Sequence, residues 1–326
     1  MLSREDRLLI YCTDMREEEE EVYLQAREIL SRDLDWNLLI QKASRHGIAP
    51  LLYLLLNKID DDHKIPDRVV EMLKSIYYTN AVRNIKLEYE LLTILRSFYS
   101  KAVDCIGLKG LFILKPIYKN LALRPVGDID LLIHFKDLPQ VDAALRELGY
   151  SFQSNSMPAK FYHSVHFHVV YLGDKHHSFA PVELHWNIQD KFNVLKIDID
   201  QIWERAVSWE IGDINALAMC PEDLLLYLCY HADKHGRYSK YIQDYSLLSP
   251  EIILSNNSPV KLLWYAEILK LIQLQESKLN WALFIESCQN WGIEGEVFST
   301  LTLINKIYGV SIADEALAEF GPPKVR

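Results

Sequence analysis

The sequence predicts an α+β protein: a small mixed β-sheet core flanked by N- and C-terminal helical segments. Three observations predict it. Apolar residues recur at spacings of three and four over residues 66–98, as on a helix with one buried stripe. Short apolar runs, several of them β-branched, then follow at residues 102–108, 128–135, 165–172 and 181–186. Helical spacing returns from Asp198 onward. The chain accordingly divides into a helical region over 1–100, an α/β core over 101–190 and a second helical region over 191–326.

Each element has a local reason. Residues 14–30 form a charged amphipathic stretch whose acidic run, 17–21, reads as a solvated face. Asp35 is an N-cap-type residue ahead of an apolar helix that His46-Gly47 closes. Pro50 opens the next helix and Pro66 the long one, with a polar loop at 60–63 between them. The strand at 102–108 ends at Lys109-Gly110, and residues 111–120 read as a helix with Pro116 as a kink or boundary. Arg124 to Gly127 is a loop before the strand at 128–135. Gly149 is a C-cap signal for the helix at 138–148. The runs at 165–172 and 181–186 suit a hairpin. Pro221-Glu-Asp opens a helix, and more follow at 240–248, 262–274 and 281–303.

The totals exclude several classes. With 326 residues, 49% apolar and 25% charged, the chain is an ordinary globular sequence with ample core. A net charge of -10 argues against broad nucleic-acid binding but leaves room for a local basic pocket. The five cysteines, Cys12, Cys105, Cys220, Cys229 and Cys288, lack CxxC spacing, which points away from a disulfide framework and toward a reducing cytoplasm. The N-terminus lacks a signal-peptide core, and apolar runs such as 49–56 are too short for a bilayer, so no membrane partner is expected.

Chemistry concentrates at Asp128-Ile-Asp130, followed by Leu131, Leu132 and Ile133. On a strand, Asp128 and Asp130 point to the same side. Like charges so close repel, and one carboxyl holds its proton more tightly unless a cation lies between them. That seeds a metal site. The bland alternative makes Asp128 a turn residue and Asp130 an exposed strand position, with Lys109 and Arg124 in surface ion pairs.

The order of strand, Leu108-Lys-Gly110, helix, Arg124 and Asp128-Ile-Asp-Leu-Leu132 resembles the nucleotidyltransferase fold of the polymerase-beta superfamily. More narrowly, it is similar to a group of largely uncharacterised nucleotidyltransferases. Ala43-Ser-Arg-His-Gly-Ile-Ala-Pro-Leu-Leu52, Val182-Glu-Leu-His-Trp186 and residues 223–248 extend the resemblance over roughly 30–250.

The resemblance implies transfer of a nucleoside monophosphate from an NTP to a hydroxyl, with Asp128 and Asp130 as Mg²⁺ ligands, Glu183 as the third carboxylate, and two ions as an option. Glu183 would serve as metal ligand or as general base. Lys109-Gly110 stands where the superfamily commonly has Gly-Ser or Gly-Gly, and Gly110 would let the backbone approach the triphosphate. Lys109 and Arg124 could neutralise phosphate oxygens. The acidic net charge makes a small molecule or protein a better acceptor than long nucleic acid.

Two histidine clusters frame alternatives. His163, His166, His168, His176, His177 and His185 suggest a zinc hydrolase, although they lack established ligand spacing. They also read as polar strand and loop residues, or as His166, His168 or His185 lining an acceptor pocket beside Glu183. His231 and His235 share a helix face if that helix continues, with Asp244 beyond, and read as packing or as base or acceptor contacts. A further alternative keeps the fold without catalysis, as a nucleotide-binding or toxin–antitoxin-type module.

Overall fold

Helices make up most of the described residues among the first hundred. The computed structural model describes residues 2–14, 20–60, 64–152, 166–173, 180–189, 196–237, 249–255 and 258–320. In α1 (Arg4–Thr13), the Ser3 hydroxyl accepts from the Asp6 amide while the Asp6 carboxylate accepts from the Ser3 amide, a reciprocal cap. After α2 (Glu20–Leu30), Asp35 caps α3 (Trp36–Arg45) by accepting from the Leu38 amide. Pro50 lies in the first turn of α4 (Ala49–Ile59), and Pro66 stands just before the 34-residue α5 (Asp67–Ser100).

Among the described residues the strands form one seven-stranded sheet, ordered β3-β4-β5-β2-β1-β7-β6. Its centre comes from β1 (Cys105–Gly107) and β2 (Ile129–Ile133), which run antiparallel and are joined through α6 (Leu111–Tyr118). α7 (Leu138–Glu147) leads to β3 (Tyr150–Phe152), and β4 (His168–Gly173) pairs antiparallel with β5 (Val182–His185). β5 then runs parallel to β2, which sets Glu183 beside Asp130.

One expectation needs correction. Beyond Asp198 only the short α8 (Ile199–Glu204) is helical before β6 (Val207–Ile211) and β7 (Ile214–Ala218) form a hairpin, and β7 pairs in parallel with β1. The signal was the turn dipeptide Gly212-Asp213 between two runs containing Val207, Trp209, Ile211 and Ile214. Gly212 takes φ +57°, which suits glycine in a tight hairpin turn. The sheet therefore draws on residues well past 190. Among the described residues there follow the helices α9 (Pro221–Arg237), α10 (Pro250–Ile253), α11 (Leu262–Gln275), α12 (Trp281–Trp291), α13 (Glu294–Tyr308) and α14 (Asp314–Glu319).

Strand alternation sorts the sheet into two faces. Cys105, Ile129, Leu131 and Ile133 pack with Leu91, Ile94 and Phe98 of α5 and with α7. Ile106, Leu108 and Leu132 face the other way, into a core built from α1, α3 and α4 together with α9, α11, α12 and α13. The first and last helical segments thus share one core, and the Thr13 and Tyr308 hydroxyls lie 3.1 Å apart within it. By parity, Asp130 points with Leu132 toward this helical layer. Gly107 lets α6 approach, because a Cβ there would fall 2.0 Å from the Phe112 ring.

Candidate active site

The two aspartates stand at the head of β2, Asp128 just before its first residue and Asp130 as its second. Parallel register places Glu183 of β5 directly beside Asp130, so two adjacent strands supply three carboxylates. His185, two residues on, shares the face of Glu183. Its Nε2 lies 3.3 Å from Asp130 Oδ1 and 3.6 Å from Glu183 Oε2. Ligand atoms of Asp130, Glu183 and His185 all fall within 4.8 Å of one another. His185 belongs to the histidine-rich stretch, which the sequence offers as zinc ligands or as lining a pocket beside Glu183; its approach to Asp130 comes from the structure. The signal was the Glu-x-His spacing on one strand.

Lys109 leaves the end of β1 and reaches into this group, its ammonium 3.3 Å from Asp130 Oδ1 and 4.0 Å from Asp128 Oδ2. Gly110 follows with φ +67° and ψ −119°, a conformation nearly closed to other residues, and opens α6. A Cβ on Gly110 would meet the Asp128 carbonyl oxygen at 3.4 Å and Val126 at 3.3 Å. The β1–α6 turn therefore lies against the aspartate segment, and the first amides of α6 have no intrahelical acceptor.

Electrostatics divide the two aspartates. Burial, reinforced by Asp130, pushes the Asp128 carboxyl up to about 6. For Asp130, burial opposes ionisation, but the Lys109 ammonium and the His185 hydrogen bond outweigh it and hold the carboxyl well below the usual range. Burial would lower His185, yet its bonds to Asp130 and Glu183 raise it instead. Burial alone would lower Lys109, but Asp130, with Tyr227, Asp128 and Glu183 adding to it, raises it. Among the described residues, Asp130 Oδ2 has no hydrogen-bond partner although Asp130 is only 1% exposed. Such an atom is costly unless something binds it.

Arg124 is placed differently from these groups. Its guanidinium is buried against Glu267 of α11, with Nε 2.5 Å from Oε1 and Nη2 3.4 Å from Oε2, and Nη1 donates to the Pro125 carbonyl. Asn84 of α5 fixes the same loop, donating to the carbonyls of Leu121 and Arg124. Arg124 still acts on Asp128 through space. Of the histidine expectations, His163, His176, His177 and Asp244 lie outside the described residues, as do residues 240–248. His168 stands opposite His185 in the β4–β5 register, with ring centres 5.2 Å apart. His231 and His235 do share a face of α9, 4.5 Å apart, and both rings lie 5.0 Å from Trp264 of α11.

The start of α11 is held by the Arg45-His46-Gly47 segment. Arg45 donates to the Ser258 carbonyl, and His46 Nδ1 accepts from the Leu262 amide. Gly47 packs against Leu263 and Pro125. This fixes Lys261, an exposed cation in electrostatic reach of Asp128, Lys109, Arg124 and Glu267. His46 is fully buried, and burial, with Arg45 and Lys42 adding to it, lowers its imidazole to about 4. Its stabilising effect is complete above the unfolded value of about 6.5 and fades as the pH falls toward 4. Urea unfolding of wild type and His46→Asn at pH 7 and pH 4.5 measures this. Wild type should lose about 2 to 3 kcal/mol more than the variant between those conditions.

Residues 32–309 match the family model described as uncharacterised nucleotidyltransferase. The chain belongs to that nucleotidyltransferase family. The match spans the sheet and the helices from α3 to α13, so the family extends well beyond the aspartate motif. No curated protein and no solved structure matches this nucleotidyltransferase family member. Among the described residues, no helix is long and apolar enough to cross a membrane.

Proposed function

We propose that the protein transfers a nucleoside monophosphate from an NTP to a hydroxyl of a small-molecule or protein acceptor. The observation that carries this reading is the meeting of Asp128, Asp130 and Glu183 with Lys109 and the Gly110 turn, in a chain of this family. The acceptor oxygen bonds to the α-phosphorus, the bond to the α–β bridging oxygen breaks, and pyrophosphate leaves. The acceptor proton passes to a carboxylate of the site.

The carboxylates suit a divalent cation such as Mg²⁺, and the unpartnered Asp130 Oδ2 is the atom whose chemistry asks for one. When bound, such an ion offsets phosphate charge in the displacement. Lys109 and Lys261 would supply positive charge for phosphate oxygens, while Arg124, engaged by Glu267, holds the loop that leads to Asp128. The net charge of -10 supports a small or protein acceptor over long nucleic acid.

The test is thermal unfolding with each of the four NTPs, with and without a divalent cation, alongside transfer of label from α-³²P NTPs. Cation-dependent stabilisation by at least one NTP and cation-dependent release of pyrophosphate are expected, both lost in Asp130→Asn. Stabilisation without any pyrophosphate release would favour the non-catalytic binding module. No stabilisation by any NTP would refute the reading.

A further inference from the structure

Resting on the nucleotidyl-transfer reading of this site, we infer that the protein works with one metal ion rather than two. Asp130, Glu183 and His185 hold that ion, and Lys109 occupies the place of a second. The ligand set comes first. Asp130 and Glu183 are cross-strand neighbours, and His185 Nε2 faces both their carboxylates, so two oxygens and one imidazole nitrogen converge within 4.8 Å. The independent mark of a ligand is Asp130 Oδ2, buried and without a hydrogen-bond partner among the described residues.

The second part concerns charge. The ammonium of Lys109 lies 3.3 Å from Asp130 Oδ1 and 4.0 Å from Asp128 Oδ2, between the two aspartates whose oxygens a second divalent ion would need. Three carboxylates and one ammonium leave a formal charge of -2, which one divalent cation cancels. A second ion would have to displace the Lys109 ammonium from between the two aspartates.

The third part concerns the kind of ion. Mg²⁺ takes oxygen ligands in strict octahedral geometry and parts with water reluctantly. Imidazole nitrogen shifts preference toward first-row transition ions, and among them Mn²⁺ is the one most suited to carboxylate and water. The chemical class is therefore a single Mn²⁺-type ion with one nitrogen ligand. His168, stacked 5.2 Å from His185, restricts how far that ring can turn.

The test reads the metal directly and needs no turnover. The full-length protein is loaded with Mn²⁺ with and without an α,β-methylene ATP analogue, and bound metal per chain is measured. Pulsed EPR then looks for ¹⁴N coupling. One Mn²⁺ per chain in both conditions, with ¹⁴N modulation in wild type that disappears in His185→Gln, is the expected result. By titration, Mn²⁺ should bind at least about 10-fold tighter than Mg²⁺, with the gap closing in His185→Gln. Lys109→Met should admit a second ion. Wild type alone decides the main point if a variant does not fold: two bound ions, or no ¹⁴N coupling, overturns the inference. Absence of nucleotidyl transfer alongside one nitrogen-ligated ion would instead defeat the proposed reaction and leave the metal assignment standing.

Discussion

Asp128→Asn is expected to cut nucleotidyl transfer by at least about 10³-fold while making the protein more stable at neutral pH. The loss follows if Asp128 serves the reaction through its charge, since asparagine keeps its shape and removes that charge. The gain follows from electrostatics already present in the fold. Burial and the neighbouring Asp130 let the Asp128 carboxyl keep its proton up to about 6. Keeping it ionised at pH 7 costs about 3 kcal/mol at full strength. The side chain is 34% exposed, and solvent screening reduces the figure to about 1 kcal/mol. The sign is that of a raised carboxyl: the penalty is absent below about pH 4, grows as pH rises toward 6 and is complete above it. Asparagine carries none of it, and Lys109 keeps Asp130 as its partner. Denaturant unfolding with a chelator present measures one half of the prediction and labelled transfer the other. A variant that loses activity by losing stability would point to a structural role for Asp128.

Glu267→Ala is expected to cost about 3 to 5 kcal/mol of stability. Glu267 has no exposed surface, and Arg124 is 8% exposed. Each offsets the other's desolvation through two hydrogen bonds, and Tyr118 adds a third at 3.4 Å. Alanine leaves the guanidinium buried, with the Pro125 carbonyl its one remaining hydrogen-bond acceptor among the described residues. The double variant Arg124→Leu with Glu267→Leu should recover most of the loss, because no charge is then left buried alone. Urea midpoints for the single and double variants check both statements. If instead Glu267→Ala unfolds like wild type, the pair is weakly coupled and Arg124 is free to turn toward phosphate.

Much of this architecture was legible in the sequence. Helix starts at Asp35, Pro50 and Pro66 were readable because capping and proline chemistry are local. The alternation at Asp128 and Asp130 placed both on one face for the same reason. Glu183 was less accessible: its place beside Asp130 depends on a parallel register between strands some 50 residues apart, which only the family resemblance suggested. The β6–β7 hairpin was missed because Gly212-Asp213 is short and the helical spacing around it is louder. Its position before the aspartates suggests Arg124 as a phosphate ligand. Its partner Glu267 lies 143 residues away, and no local signal connects them.

The pairing of β7 with β1 governs how the chain must fold. The strand carrying Lys109's anchor gains its second neighbour only from residues 214–218, and the first helices share their core with α11 and α13. A ribosome has to deliver more than a hundred residues after β1 before the sheet centre closes, and the Thr13–Tyr308 contact must wait for 295 more after Thr13. Contacts this distant in sequence make folding slow. The apolar faces of α1, α3 and α4 stay uncovered through most of synthesis, so a half-made chain is the form in which this protein is most exposed to aggregation and to chaperones.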